Sequence, residues 1–121
     1  MAKDLGISVL LDFYGDMLTE KQRDVVELYY NEDLSLAEIA EHSGITRQGV
    51  RDSIKRAEGQ LREYEERLGL ARKFNTIGDG LNRIQNLVNE AVRTNQRRNA
   101  DVDINRCLDQ IGTIAAQLSD L

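Results

Sequence analysis

Apolar side chains recur every three or four positions along most of this chain, which predicts an all-α protein. In the first third the pattern predicts a helix over about Leu5–Tyr14, which Gly15 ends, and a second helix that begins at Thr19 and ends near residues 31–33. A third helix begins at Ser35 and stops at Ser43-Gly44. Thr19 and Ser35 are each followed three residues later by Gln or Glu, the spacing of a capping box that satisfies free backbone donors.

A fourth, longer helix is predicted from Thr46 to Gly69, because its apolar residues keep a heptad spacing. These residues are Val50, Ile54, Ala57, Leu61, Tyr64 and Leu68. After it, the run TIGDG at 76–80 predicts a loop, and NQRRNADVD at 95–103 predicts a second. The segments that follow the two loops have apolar residues at helical spacing, so residues 71–121 are predicted to form a C-terminal helical hairpin. The domain boundaries expected are therefore 1–70 and 71–121.

The junction between the third and fourth helices has the pattern of a helix-turn-helix. Ala40 is small enough for two helices to cross closely, and Gly44 tolerates the positive φ of a sharp turn. Apolar anchors on both sides would fix the crossing angle: Ile39, Ile45, Val50 and Ile54.

Charge is distributed unevenly along the 121 residues, whose net charge is −5. Residues 16–45 hold eight acidic and two basic side chains, whereas residues 46–62 hold five basic and two acidic ones. The basic stretch supplies a candidate nucleic-acid surface, consisting of Arg47, Gln48, Arg51, Lys55 and Arg56. In a DNA-reading helix-turn-helix the first turns of the second helix enter the major groove, where arginine pairs with guanine and glutamine with adenine.

The alternative is that these side chains form the solvated face of an amphipathic helix. Asp52 lies among them and would repel phosphate, and Gly49 offers no side chain.

Other chemistry is weakly represented. The absence of proline favours long helices, and Cys107, the only cysteine, allows no internal disulfide and is expected to fill the core. His42 has no second histidine or cysteine to share a metal, and no apolar run is long enough to cross a bilayer. We therefore expect a cytoplasmic protein that is not an enzyme and uses neither cofactor nor metal.

Two families share motifs with this chain. The segment LSLAEIAEHSGITRQGVRDSIKRAEGQLR resembles region 4 of sigma factors, which reads the promoter −35 element. More specifically, DFYG, LT-KQ, ELYY-ED-SLAEIAE and the SIKR-x-E run, spread between about Leu10 and Leu68, resemble the YlxM family of small bacterial helix-turn-helix proteins. That resemblance implies a fold like sigma region 4 and a regulatory role in the signal recognition particle pathway, which is inferred for the family from gene neighbourhood.

The partner implied by the resemblance is the protein or RNA component of the signal recognition particle. Sigma region 4 has base-contacting side chains where this chain has Gly49 and Asp52, so promoter reading is a weaker interpretation. Two alternatives remain open: a DNA-binding transcriptional regulator that contacts duplex DNA, and a structural protein-interaction module. The heptad spacings can pair within one chain or between chains, and we expect a homodimer.

Overall fold

A computed structural model describes residues 3–98 and 100–121. Within them the chain is all-α and contains a helix-turn-helix, as predicted. The α-helices are α1 Gly6–Tyr14, α2 Glu20–Tyr30, α3 Leu36–Ser43, α4 Arg47–Leu68, α5 Leu70–Arg98 and α6 Val102–Ser119, with a short 3₁₀ turn at Gly15–Met17. None of the helices in the described ranges is both long and apolar enough to cross a membrane.

Polar side chains start four of these helices by accepting hydrogen bonds from free backbone N–H groups. Thr19 and Ser35 form the two predicted capping boxes, with Gln22 and Glu38 respectively. Thr46 Oγ1 accepts from the Gly49 N–H at 3.0 Å at the start of α4. Asp101 starts α6 by accepting from two backbone N–H groups. Each such cap contributes about 1 kcal/mol to helix stability.

Two glycines end helices in the left-handed conformation that only glycine adopts without strain. Gly44 ends α3 at φ 70°, and Gly69 ends α4 at φ 63°. Both helix ends therefore lie where the sequence predicted them.

The loop predicted at 76–80 is wrong, because these residues lie inside α5, which runs unbroken for 29 residues. A glycine costs a helix only about 1 kcal/mol relative to alanine, and the apolar spacing of Ile77, Leu81 and Ile84 continues across the segment. The turn of the hairpin is also shorter than predicted, since α5 extends to Arg98 and α6 begins at Val102. Cys107 is exposed, so the expectation that it fills the core is wrong as well.

The chain divides into two compact units, with the boundary between Ala71 and Arg72. In the first unit, which we call the head, α4 contacts α1, α2 and α3. The centre of the head core is formed by the four buried residues of α4, which are Val50, Ile54, Ala57 and Leu61. Ala57 and Leu61 pack with residues of α1, and Val50 and Ile54 pack with residues of α2 and α3.

Hydrogen bonds from distant residues fix the start of α5, which follows Gly69 directly. The Leu70 N–H donates to the Tyr14 hydroxyl at 3.0 Å, and the Ala71 N–H donates to Glu65 Oε1 at 3.0 Å. The Tyr14 hydroxyl in turn donates to Glu65 Oε1 at 2.6 Å. These contacts satisfy backbone donors that a helix start leaves free.

The second unit, residues 72–121, consists of most of α5 packed against α6 as a hairpin. Its buried apolar residues in the described part of the chain are Leu81, Val88 and Ala115. A Cβ added at Gly112 would lie 3.3 Å from Val88 Cγ1, so the small residue allows the two helices to approach closely.

A buried asparagine holds the turn of the hairpin. The Asn95 Nδ2 donates to the Asp101 carbonyl at 2.8 Å and to Asn105 Oδ1 at 2.9 Å. The backbone carbonyl of Asn95 accepts a hydrogen bond from the Ala100 N–H at 2.6 Å. Because Asn95 of α5 is buried and its side-chain amide bonds to Asp101 and Asn105 at the start of α6, it fixes the register of α5 against α6.

Candidate nucleic-acid interface

The turn between α3 and α4 consists of three residues, Gly44 to Thr46. The Gly44 N–H donates to the Ala40 carbonyl at 2.9 Å, and the Ile45 N–H donates to the same carbonyl at 3.2 Å. Both bonds satisfy a carbonyl that the end of α3 leaves free. The chain is thereby turned sharply from α3 into α4.

Buried anchors on both sides of the turn hold the two helices. Ile39, Val50 and Ile54 are completely buried in one cluster, together with Val25 and Tyr29 of α2. Ala40 is partly buried and packs against the same cluster.

Ile45 is not a buried anchor, contrary to the sequence interpretation, since 46% of it remains exposed. It lies in the turn between two helix caps, where the chain is at the surface, and its side chain is close to the position that a Cβ on Gly49 would occupy. The same Cβ would lie 3.1 Å from Thr46 Oγ1. Glycine at position 49 therefore leaves room for the cap of α4.

Arg47, Arg51 and Lys55 lie on the first turns of α4 and are exposed. They follow one another at every fourth residue, so they form a row about 12 Å long beside the buried seam. We call this row the basic strip. Within the described residues, none of the three is in an ion pair.

Two arginines further along the same helix, Arg62 and Arg67, are in ion pairs. Arg62 contacts Asp4 at 3.2 Å and Glu58 at 3.8 Å, and Arg67 contacts Glu63 at 2.9 Å. Among the described residues, the three cations of the basic strip thus lack the carboxylate partners that Arg62 and Arg67 have.

The remaining two candidates lie elsewhere on the helix surface. Arg56 is exposed but lies roughly 100° around the helix from Lys55, so it is not part of the strip. The Gln48 Nε2 donates to Asp52 Oδ1 at 2.9 Å. This i,i+4 pair is a contact that the sequence analysis missed, although the spacing is a known signal for it.

Acidic side chains line a different part of the head. A cavity of about 650 Å³ opens beside α2, where three carboxylates outnumber one lysine. Its lining includes Asp24, Glu27, Glu32, Lys21 and His42, together with Ile45 of the turn and Ser53 of α4. Ser53 and Arg51 are two residues apart and therefore point in different directions from α4. The head thus separates an acidic groove from the basic strip. Nothing in the apolar spacing indicated this groove.

Tyr30 of α2 contacts α4 at Glu58, beyond the basic strip. Its hydroxyl donates to Glu58 Oε1 at 2.7 Å and accepts from the Asp4 N–H at 3.3 Å. Burial, together with the hydrogen bond to Glu58, raises the pKa of Tyr30 to about 12. The neutral phenol is therefore the form that holds α2 against α4.

Metal and nucleophile chemistry is not apparent in the described ranges. No three His, Cys, Asp or Glu side chains there are grouped so that they could hold a metal ion. His42 and Cys107 are both exposed and lie on separate units.

Comparison with known proteins identifies the family. Residues 1–102 match the family model UPF0122, described as "Putative helix-turn-helix protein, YlxM / p13 like". A UPF0122 protein of Desulforamulus reducens is 52% identical over 82 residues, which are 68% of this chain and 70% of the relative. UPF0122 proteins of Clostridium perfringens (strain SM101) and Thermoanaerobacter sp. (strain X514) are 46% and 40% identical over 110 and 115 residues, more than 90% of each chain. The resemblance to YlxM proteins is thereby confirmed, and the chain belongs to the UPF0122 family of YlxM-like helix-turn-helix proteins.

Proposed function

We propose that this protein is a regulatory accessory of the signal recognition particle pathway that binds nucleic acid through the basic strip. It acts in the cytoplasm as a homodimer and binds rather than catalyses. The observation that carries the binding proposal is the row of three exposed cations, Arg47, Arg51 and Lys55, without ion-pair partners in the described chain, on the helix that follows the turn.

Phosphate is the ligand that such a row fits. Three cations spaced over about 12 Å follow a nucleic-acid backbone along its length. The positive end of the α4 dipole lies at the same end of the helix and adds to the attraction. Because the chain as a whole carries −5, binding is confined to this local surface.

Base reading contributes less than phosphate contact in this proposal. Gln48 already donates to Asp52, and Gly49 has no side chain. These positions therefore lack the free donors that distinguish bases in a major groove. A surface that recognises backbone and shape suits a structured RNA, whose deep major groove excludes side chains. The assignment to the signal recognition particle itself rests on the resemblance to YlxM proteins.

The test measures binding of the full chain to labelled signal recognition particle RNA and to a random DNA duplex across a salt series. We expect the RNA to bind more tightly, with log K falling linearly in log salt. The double variant Arg47→Ala/Arg51→Ala should weaken binding and reduce the magnitude of the salt slope by roughly 1 for each phosphate that the variant no longer neutralises.

Arg67→Ala is the matched control, because it removes a cation of the same helix that is paired with Glu63. It should leave affinity and slope unchanged. If the double variant binds the RNA as the wild type does, the strip is ordinary surface and the RNA is bound elsewhere on the protein. If the wild-type chain binds neither the RNA nor the duplex even at low salt, the protein is better described as a protein-interaction module.

A DNA-binding transcriptional regulator is the second candidate. It is favoured by the sharp turn at Gly44 and the buried anchors, which present the start of α4 outward as a groove-binding helix requires. Selection from a random duplex library decides between the two. An enriched palindromic site, with half-sites about one helical turn apart, would favour DNA reading over RNA binding.

A further inference from the structure

The second unit has an exposed apolar face. On α5 this face includes Ile84, Leu87 and the partly buried Ala91. On α6 it includes Ile104, Ile111 and Leu118, each about half exposed. We call these six residues the hairpin face.

Both helices contribute to the same side of the hairpin. Leu87 and Ala91 line one cavity of about 470 Å³ with Ile104, so these residues of α5 and α6 lie side by side. The cavity on the other side of the helix pair is lined instead by the polar residues Gln85, Asn89, Asp109 and Thr113, with Val88, Val92 and Gly112 between them. The hairpin therefore has its large exposed apolar side chains on the first side, where Glu90, Thr94, Asn95 and Arg98 border the same cavity, and it lacks them around the second cavity.

A two-helix unit of 50 residues needs such a face to be covered. Within the described residues it buries only three apolar side chains, Leu81, Val88 and Ala115, and Cys107 is free. Units of about this size are marginally stable alone, and those without disulfides or metals commonly gain stability by association.

The charges of the two helices indicate what covers the face. Helix α5 has six basic and two acidic residues, a net charge of +4. Helix α6 has one basic and two acidic residues, a net charge of −1, and the aspartates that flank it at positions 101 and 120 bring the segment to −3. In a pair of chains, the acidic α6 of each chain can therefore lie against the basic α5 of the other.

We propose that two chains pair through the hairpin face to form a four-helix bundle in which α5 of each chain packs on α6 of the other. This inference deepens the homodimer of the proposed function by giving its interface and its pairing. A two-fold axis parallel to the helices generates the arrangement. Every helix is then antiparallel to its neighbours, and both hairpin turns lie at one end of the bundle.

At that end, opposite charges of the two chains meet. Arg98, in the last turn of α5, lines the same cavity as Leu87 and Ile104 and so lies at the edge of the hairpin face. Asp103, in the first turn of α6, is exposed and lies 3.5 Å from Arg106 of its own helix, an exposed pair that leaves the carboxylate accessible to a second cation. The bundle brings Arg98 of one chain close to Asp103 of the other, whereas pairing of α5 with α5 would oppose two basic helices.

The first test is the mass of the full-length wild-type chain without nucleic acid, by sedimentation equilibrium. We expect a dimer of twice 13.7 kDa. The variant Leu87→Glu/Ile111→Glu should sediment as a monomer, and Gln85→Glu/Thr113→Glu, on the polar side of the same helices, should remain dimeric. A monomeric wild type, or a face variant that dimerises like the wild type, overturns the proposal.

The second test addresses pairing by charge reversal. Arg98→Glu and Asp103→Arg should each weaken the dimer by about tenfold, because each creates two like-charge contacts per dimer. An equal mixture of the two single variants should form a heterodimer with both contacts restored. Failure of the mixture to associate above either variant alone contradicts the α5-on-α6 pairing. Neither test uses nucleic acid, so its outcome is independent of the Arg47/Arg51 binding experiment.

Discussion

Hydrogen bonds between residues distant in sequence link helices of the head, in addition to its apolar core. The bond from Tyr30 gives the clearest test of what such a bond contributes to stability. Its hydroxyl joins α2 to the partly buried Glu58 of α4. Tyr30→Phe removes the hydroxyl and leaves the Glu58 carboxylate without this hydrogen bond. We expect the free energy of unfolding, from urea titration, to fall by about 1.5–3 kcal/mol, the range for hydrogen bonds to charged groups.

Tyr64→Phe is the control, since the Tyr64 hydroxyl has no hydrogen bond in the described part of the chain while its ring contacts Tyr14. It should change the free energy of unfolding by much less than Tyr30→Phe does. Equal losses for the two variants would mean that ring packing matters and the bond to Glu58 does not.

The same residue predicts how stability depends on alkaline pH. The pKa of Tyr30 is about 12 in the folded chain and near its ordinary value of 10 in the unfolded chain. Folding therefore favours the protonated phenol, and its contribution is complete below pH 10 and disappears as pH rises through 12. The stability difference between wild type and Tyr30→Phe should shrink over this window, as thermal unfolding at a series of pH values would measure. A difference that stays constant contradicts the assignment.

Among the helices and turns, glycine has two opposite roles, and substitution separates them. Gly44→Ala places a side chain at φ 70° and should lower the free energy of unfolding by about 1–2 kcal/mol. Gly59→Ala lies inside α4 with no atom within 4 Å of the added Cβ, and should raise it by roughly 0.5–1 kcal/mol. Urea titration of both variants measures the contrast, and a harmless Gly44→Ala would contradict the left-handed turn.

Alanine at positions 78 and 80 tests whether α5 is continuous. Neither added Cβ would meet an atom within 4 Å, and neither glycine has a positive φ. In an unbroken helix each substitution should increase helicity by circular dichroism and stabilise the protein by about 0.5–1 kcal/mol. If both substitutions lower the stability, the result would instead support the loop that the sequence predicted at 76–80.

The sequence predicted those helix ends whose signals act on neighbouring residues. The capping residues and Gly44 act on backbone groups within four positions, so their chemistry is readable along the chain. The glycines at 78 and 80 were misread because their helix cost is small and apolar spacing on both sides outweighs it.

Long-range contacts account for what the sequence did not reveal. Asn95 falls at the spacing of Leu81 and Val88, where an apolar residue is expected, and only the packed hairpin shows that it holds the turn. The bonds from Tyr14 and Glu65 to the start of α5 likewise join residues distant in sequence. At the candidate interface, the positions of Arg47, Arg51 and Lys55 on one strip followed from helical spacing, whereas their lack of ion-pair partners among the described residues required the fold.

For the molecule as a whole, the two units differ in how much core they have. In the described residues the head buries twelve apolar side chains, from Ile7 to Leu61, and the second unit buries three. Local stability follows buried apolar contacts, so the two units should open with different free energies. The head core supports the basic strip, while in the proposed dimer the hairpin gains the cover that its own core does not supply.

Hydrogen exchange measured by mass spectrometry tests that difference at two protein concentrations. Amides of α4 around Ile54 and Leu61 should exchange at least about tenfold more slowly than those of α6 around Ile111, because the former are enclosed by the head core. Dilution below the dissociation constant of the dimer should speed exchange in α5 and α6 and leave α4 unchanged, since only the hairpin gains cover from a second chain. Equal protection of both units, or a dilution effect that reaches α4 as strongly as α6, would show that the head and the hairpin unfold together as one cooperative unit.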